Sequence, residues 1–260
     1  MLRASAISAA SYRLSLLVSV LGLFASIVPL YFVSNALQGV MASKIADQGG
    51  QYFAFVLVGT IVLTFVSQSI NALPGAVQST VGSGMLDTLL SVPTPVPVVF
   101  AGLTSYGYLW VAVRAVLTLA AGAALGAHVE WARLAPSLLV LALIVLAYLP
   151  FGLIAAALIV AFRTDMELRR GVLLISTLLG GVYYPTHIIP SWVQHVSSAV
   201  PLTYGLRALR RVLLDGEPLW QAAGDLGVLL AMTAVLGLAG VAALSAAFQY
   251  ARRTGTLAQY

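Results

Sequence analysis

Long runs of uncharged, mainly apolar residues alternate with short charged connections along this chain of 260 residues. A helix needs about 20 apolar residues to cross the hydrocarbon core of a bilayer. The uncharged windows, trimmed at prolines, glycines and polar clusters, predict six membrane-spanning helices near 14–38, 52–73, 98–126, 135–161, 168–183 and 224–248. The first window is too long for a cleavable signal peptide, and no small-residue cleavage pattern follows it.

Prolines interrupt the apolar run that continues past the fifth span. Pro185, Pro190 and Pro201 fall between residues 184 and 203. Proline removes a backbone donor and breaks helices, and unpaired backbone groups at membrane depth must be buried in protein or face water. We therefore expect a re-entrant or interfacial helical hairpin between spans five and six, rather than a seventh crossing.

An amphipathic pattern follows at residues 205–214. The apolar side of this helix is formed by Leu206, Leu209, Val212 and Leu213. The basic side is formed by Arg207, Arg210 and Arg211. A helix with one apolar face and one basic face lies in the plane of the membrane interface.

Composition supports a polytopic all-α membrane protein that forms a single domain over 1–260. The chain is 60% hydrophobic and 8% charged, whereas soluble domains carry about 25% charged residues. Six crossings place both termini on one side, and more of the basic residues flank the spans on that side than on the other. The positive-inside rule therefore predicts cytoplasmic termini. The excess of Arg over Lys and the high Ala and Gly content are typical of proteins from GC-rich bacteria. We therefore expect the chain in a bacterial cytoplasmic membrane.

Several kinds of chemistry are excluded by residue types that the chain lacks. It has no cysteine, which removes disulfides and thiol chemistry. Its single lysine, Lys44, follows no P-loop glycines, so the chain itself cannot hold ATP by that motif. No basic run of the nucleic-acid-binding type occurs, and no catalytic or metal site is expected. Carboxylates are absent from the spans, which argues against a proton-coupled carrier.

The connection between spans two and three contains a short apolar helix, about Met85 to Val92, bracketed by glycines and prolines. Such a helix either lies on the lipid surface or fills a groove on another protein. Its sequence, Gly84-Met-Leu-Asp-Thr-Leu-Leu-Ser-Val-Pro, is similar to the Gly-Thr-Leu-Glu-x-Leu-Leu-x-x-Pro loop in the permease subunits of type-2 ABC exporters. Tyr183-Tyr-Pro, followed by Leu202-Thr-Tyr-Gly-Leu-Arg-Ala-Leu-Arg, resembles that family's signature between spans five and six.

The resemblance implies that two permeases pair, as a homodimer or a related heterodimer. Each would dock a cytoplasmic ATP-binding subunit that holds ATP and Mg, and this chain would not be the enzyme. Segment 83–92 would be the coupling helix, 1–12 an N-terminal interface helix and 184–204 the outer gate. The implied coupling residues are Gly84, Met85, Leu86, Asp87, Leu89, Leu90 and Pro93. The implied gate residues are Tyr183, Tyr184, Pro185, Trp192 and Tyr204.

Polar residues inside the spans are candidates for a substrate path. Thr60, Thr64, Ser67 and Asn71 share one face of span two at helical spacing, where they either line a path or join helices by hydrogen bonds. Arg114 is the only charge deep in a span, and an unpaired arginine there costs at least about 2.5–3.5 kcal/mol. The Arg114 side chain must therefore reach the interface, find hydrogen-bond acceptors or line the path. We also assign Ser176 to the path.

The sequence therefore predicts the transmembrane subunit of an ATP-driven exporter. The subunit would move an amphiphilic, drug-like or lipid-linked substrate outward by alternating access. A secondary carrier and a non-transporting membrane scaffold are the alternatives.

Overall fold

The structure is a computed structural model that describes residues 22, 25–82, 96–162 and 166–254. Within these ranges the chain forms eight α-helices joined by turns and short 3-10 segments, with no strand. The predicted N-terminal interface helix at 1–12 and the predicted coupling helix at 83–92 lie outside the described residues. So do the coupling residues from Gly84 to Pro93.

The helices are numbered in chain order. They are α1 (25–41), α2 (Tyr52–Gly82), α3 (Val96–Ala124), α4 (Leu134–Phe162), α5 (Met166–Leu179), α6 (Ser191–Ser197), α7 (Pro201–Leu213) and α8 (Ala223–Thr254).

Five segments of the described chain are long and apolar enough to cross a membrane. They are Ala25–Lys44, Tyr52–Ser79, Thr104–Ala124, Trp131–Phe162 and Ala223–Ala247. This confirms the all-helical, polytopic class and the approximate positions of five predicted spans. The fifth predicted span, 168–183, corresponds to α5, which has only 14 residues. At about 1.5 Å per residue that helix is about 21 Å long, shorter than a hydrocarbon core of about 30 Å. The count of six crossings therefore stays a prediction.

The core of the molecule forms around α2 and α4. The window of α2 that could cross a membrane is 67% buried, far more than the windows of α1, α3 and α8. Leu57, Val66 and Ile70 of α2 are fully buried, as is Ile144 of α4. A helix that is apolar on every side is suited to such a central position. Helix α8 packs closely along α4: a side chain added at Gly240 would lie 3.1 Å from the Pro150 backbone.

Three of the connections meet at one end of the helix bundle. The Glu130 amide donates to the Leu213 carbonyl at 2.9 Å, which joins the α3–α4 connection to the end of α7. The Gln51 side chain bonds the Gly126 carbonyl at 2.8 Å and the His128 amide at 2.7 Å, which adds the α1–α2 connection.

Helix α7 departs from its predicted pattern at one position. Arg207 and Arg211 are partly exposed, but Arg210 is only 2% exposed. The helical wheel explains the difference, because at 3.6 residues per turn Arg210 lies roughly 40° from Leu206, on the border of the apolar side. The position of α7 in the membrane interface stays a prediction.

Candidate functional site

The most distinctive polar centre among the described residues is formed by the buried Arg210 guanidinium. Its Nη1 donates to the Gly181 carbonyl at 2.8 Å, and its Nη2 donates to the Val182 carbonyl at 2.9 Å. Nε and Nη2 also reach the Phe55 carbonyl, at 3.2 and 3.0 Å. One side chain therefore joins α7, the first turn of α2 and the chain just after α5.

Packing around Arg210 leaves little free space. The guanidinium carbon lies 3.4 Å from the centre of the Phe55 ring, a cation–π contact in a buried setting. A Cβ atom at Gly59 would lie 2.5 Å from the Val182 carbonyl oxygen and 2.7 Å from Nη2 of Arg210. Glycine at position 59 therefore allows the chain after α5 to approach α2 closely enough for the arginine to bridge them.

The predicted outer-gate segment is held mainly by its backbone and hydroxyl groups. The Tyr52 hydroxyl donates to the Tyr183 carbonyl at 2.8 Å, and the Tyr184 hydroxyl donates to the Leu178 carbonyl. Pro185 is buried and Tyr204 half-buried. The side chains of Tyr183 and Trp192 are 40% and 71% exposed. These two rings are therefore free to contact lipid, a substrate or another protein.

The segment after Tyr184 folds back onto the end of α5. The Ser197 hydroxyl donates to the Leu179 carbonyl at 2.6 Å, and the Thr203 hydroxyl donates to the Ser197 carbonyl at 2.8 Å. These bonds satisfy backbone groups that α5 and α6 leave unpaired at their ends. An open cavity of about 250 Å³ lies beside them, and polar side chains predominate in its lining, among them His187, Gln194 and Arg207.

An ion-pair network lies at the same end of the bundle. Arg207 contacts Asp225 of α8 at 3.2 Å, while Arg211 lies 3.9 Å from Asp225 and 4.0 Å from Asp47. Partial burial raises the pKa of the nearby Asp215 carboxyl, and the negative charges of Glu217 and Asp47 raise it further. The network links α7 to α8 and to the connection that precedes α2.

The predicted polar stripe lies on the least covered face of α2. Thr64 is exposed, and Thr60, Ser67 and Asn71 are half-buried in a helix that is otherwise largely enclosed. The Thr60 and Thr64 hydroxyls donate to carbonyls one turn earlier in their own helix, so within the described ranges they do not join α2 to another helix. At Thr60 and Thr64 the stripe is therefore not fully covered by the described part of the chain.

Asn71 and Ser176 are bound to neighbouring helices. Nη1 of Arg169, near the start of α5, donates to Oδ1 of Asn71 at 3.1 Å. The buried Ser176 hydroxyl lies 2.8 Å from the Tyr148 hydroxyl of α4. Ser176 therefore joins α4 to α5 in this conformation and does not lie on an open surface.

Arg114 lies apart from the stripe, on the exposed face of α3. The path residues are thus divided among three places: the face of α2, the contact between α4 and α5, and the outside of α3. Their assignment to one substrate path stays a prediction.

Sequence reasoning missed two contacts that organise this region. Arg210 was placed among surface arginines, although its spacing from Leu206 could have indicated a position on the apolar side. The contact of Arg169 with Asn71, about 100 residues earlier in the chain, is not indicated by any local pattern in the sequence. Tertiary contacts of this kind leave no periodic signal.

Comparison with known proteins gives a consistent result. A sequence model of the ABC-2 type transporter family matches residues 4–214. The linearmycin resistance permease protein LnrN of Bacillus subtilis (strain 168) is 24% identical over 118 residues, covering 45% of this chain and 31% of that protein. Nodulation protein J of Rhizobium meliloti (strain 1021) is 29% identical over 126 residues, covering 46% of this chain and 47% of that protein. The matches thus span less than half the length of either relative.

Proposed function

The chain belongs to the ABC-2 type transporter family, and from this membership we propose that it is the permease subunit of an ATP-driven exporter. The family match over residues 4–214 carries the proposal, because it includes nearly every predicted functional segment. The substrate would be amphiphilic, drug-like or lipid-linked. One relative is named as a linearmycin resistance permease, which favours outward transport.

A six-span topology with cytoplasmic termini underlies this proposal. Although α5 is short, Arg169 near its start contacts Asn71, whereas Val182 just beyond its end meets Arg210 near Phe55. Asn71 and Phe55 are separated by about 24 Å of α2 at about 1.5 Å per residue. The chain therefore travels most of a membrane thickness alongside α2, which supports a sixth crossing completed by the residues after Leu179.

The energy for transport would come from a cytoplasmic ATP-binding subunit that holds ATP and Mg. Segment 83–92 would be the coupling helix that enters a groove on that subunit, with 1–12 as an additional contact. A second permease, identical or related, would complete the transporter. The half-covered polar stripe of α2 would then face the substrate path between the two permeases.

The proposed outer gate is the segment 184–204. Hydroxyl-to-carbonyl hydrogen bonds hold this segment and the preceding Tyr183 in place, from Tyr52 of α2 to Tyr183 and from Ser197 to Leu179 of α5, while the Tyr183 ring stays exposed. Aromatic rings with polar tips can exclude water and still slide against an amphiphilic molecule. A simple anchoring role at the lipid head groups is the alternative for these aromatics. Ser176 and Arg114 would join the path only in another conformation of the transporter.

Copurification tests the proposed partnership. Tagged permease should retain a co-expressed ABC-type ATP-binding subunit, and Leu86→Glu should abolish this retention, because a charge placed in an apolar groove costs several kcal/mol. Trp220→Glu is the matched control, since it adds the same charge at an exposed apolar residue in the connection between α7 and α8.

Both variants should insert normally, and Trp220→Glu should retain the partner. Equal retention by wild type and Leu86→Glu would refute the coupling assignment. Failure of any ATP-binding subunit to copurify would favour a secondary carrier or a scaffold.

A further inference from the structure

Three hydrogen-bond donors form a row on the exposed face of α3. Tyr106, Trp110 and Arg114 follow one another at intervals of four residues, so they lie on one side of the helix. Tyr106 is 72% exposed and Trp110 is 41% exposed, and Arg114 is exposed as well. Exposed apolar side chains surround the row, among them Leu109, Val113 and Leu117. An apolar surface whose row of polar side chains can all donate hydrogen bonds is suited to an amphiphilic ligand that carries acceptors.

The row begins close to one membrane interface and ends near mid-span. Arg114 lies midway between Thr104 and Ala124, the ends of the apolar stretch, so it is about 15 Å from each end. Side chains on a helix point towards its N-terminus, which directs the arginine towards Trp110. A long arginine side chain extends towards the polar interface when its Cα lies in lipid. The guanidinium of Arg114 therefore lies closer to Trp110 than its Cα does, and it faces the leaflet at the N-terminal end of α3.

Among the described residues, no protein group neutralises the charge of Arg114. Throughout the described ranges its guanidinium has no ion pair or hydrogen bond, and the only contact there is from Thr118 to its backbone carbonyl. A second copy of the chain would not supply a partner either. All eight carboxylates lie in connections or at span ends, at positions 47, 87, 130, 165, 167, 215, 217 and 225.

We propose that this face of α3 binds an anionic phospholipid of the bilayer. The phosphate accepts hydrogen bonds from Arg114 and from the indole N–H of Trp110, and the Tyr106 hydroxyl lies nearer the interface. The acyl chains lie along Val113 and Leu117 and run towards the C-terminal end of α3. Charge complementarity selects this ligand, because an unpaired cation at this depth requires an anion and neither the described residues nor a second copy provides one. The inference needs only the purified chain and does not depend on transport.

Native mass spectrometry of the purified chain tests the site, with phosphatidylglycerol and phosphatidylcholine as competing lipids. The wild type should prefer phosphatidylglycerol, and Arg114→Gln should reduce this preference at least about fivefold, the effect of one basic residue near an anionic surface. Arg114→Lys should retain part of the preference. Lys44→Gln is the matched control, because it removes one exposed positive charge at the opposite end of the bundle.

Three results would overturn the site. One is an unchanged lipid preference in Arg114→Gln. Another is an equal loss in Lys44→Gln, which would show a general charge effect. The third is a change of oligomeric state in Arg114→Gln with unchanged lipid preference, which would assign the face to a protein partner. If Arg114→Gln cannot be purified, the double variant Tyr106→Phe with Trp110→Phe replaces it, and an unchanged preference in that variant would equally overturn the proposal.

Discussion

Replacing Arg210 by methionine tests whether the buried guanidinium holds the chain just after α5 to α2. Methionine has similar length and fills the same apolar space, but it donates no hydrogen bonds. The Gly181 and Val182 carbonyls would lose the donors that Arg210 provides, and the described part of the chain offers them no other. Each buried acceptor left without a donor costs about 1–3 kcal/mol. The two together predict a loss of about 2–6 kcal/mol in the free energy of unfolding.

Two other substitutions make the measurement specific. Arg210→Lys keeps the charge but replaces a planar fork by a single ammonium group. It should therefore fall between wild type and Arg210→Met. Arg207→Met, one turn earlier on α7, removes an arginine whose ion pair with Asp225 is partly exposed. Exposed pairs contribute about 0–1 kcal/mol, so this control should change stability little.

Thermal unfolding of the purified permease in detergent, followed by tryptophan fluorescence, gives the comparison. Arg210→Met should lower the Tm by several degrees more than Arg207→Met. Equal Tm values for these two variants would refute the reasoning, because they would show that the buried bonds contribute no more than an exposed ion pair.

Further predictions concern topology, the gate and close packing. Single cysteines at positions 2, 88, 166 and 256 should be protected from an impermeant thiol reagent in intact cells, whereas cysteines at 46, 130 and 216 should react; external labelling at 88 or 166 would contradict six spans. The double variant Tyr183→Ala with Tyr184→Ala should raise ion leak or uncouple ATP hydrolysis from transport, whereas lower stability alone would indicate an anchor. Gly59→Ala should lower the free energy of unfolding by about 1–3 kcal/mol, because the added methyl group would overpack against Val182 and Arg210. Gly39→Ala is the control and should not destabilise, because a methyl group added there has no atom within 4 Å. Equal Tm values for the two variants would contradict the close approach at Gly59.

The helical class and five spans follow from the sequence because hydrophobic length is a local property. A window of about 20 apolar residues has few structural options in a bilayer, so the segments around Tyr52–Ser79 and Trp131–Phe162 are predictable without tertiary information. The short α5 is harder to assign. Its 14 helical residues end at Leu179, and only the contacts at its two ends show how far the chain travels beside α2.

The candidate site was less predictable because it depends on which groups meet across the fold. The polar stripe of α2 could be recognised from its spacing, and the structure adds that its face is incompletely covered. The role of Arg210 could not be derived from composition, because its three acceptors are backbone carbonyls. Every residue has a backbone carbonyl, so the sequence does not indicate which ones an arginine will bind. Ser176 was chosen for its polarity, but its hydroxyl is bound to Tyr148 inside the bundle.

The most direct test of the proposed function is ATP hydrolysis by the partner subunit in liposomes, with and without this permease. We predict that wild-type permease raises the hydrolysis rate of the co-reconstituted ATP-binding subunit, that Trp220→Glu does the same, and that Leu86→Glu does not. A hydrolysis rate that is the same without permease, with wild type and with Leu86→Glu would contradict the claim that this chain couples ATP hydrolysis to transport through segment 83–92.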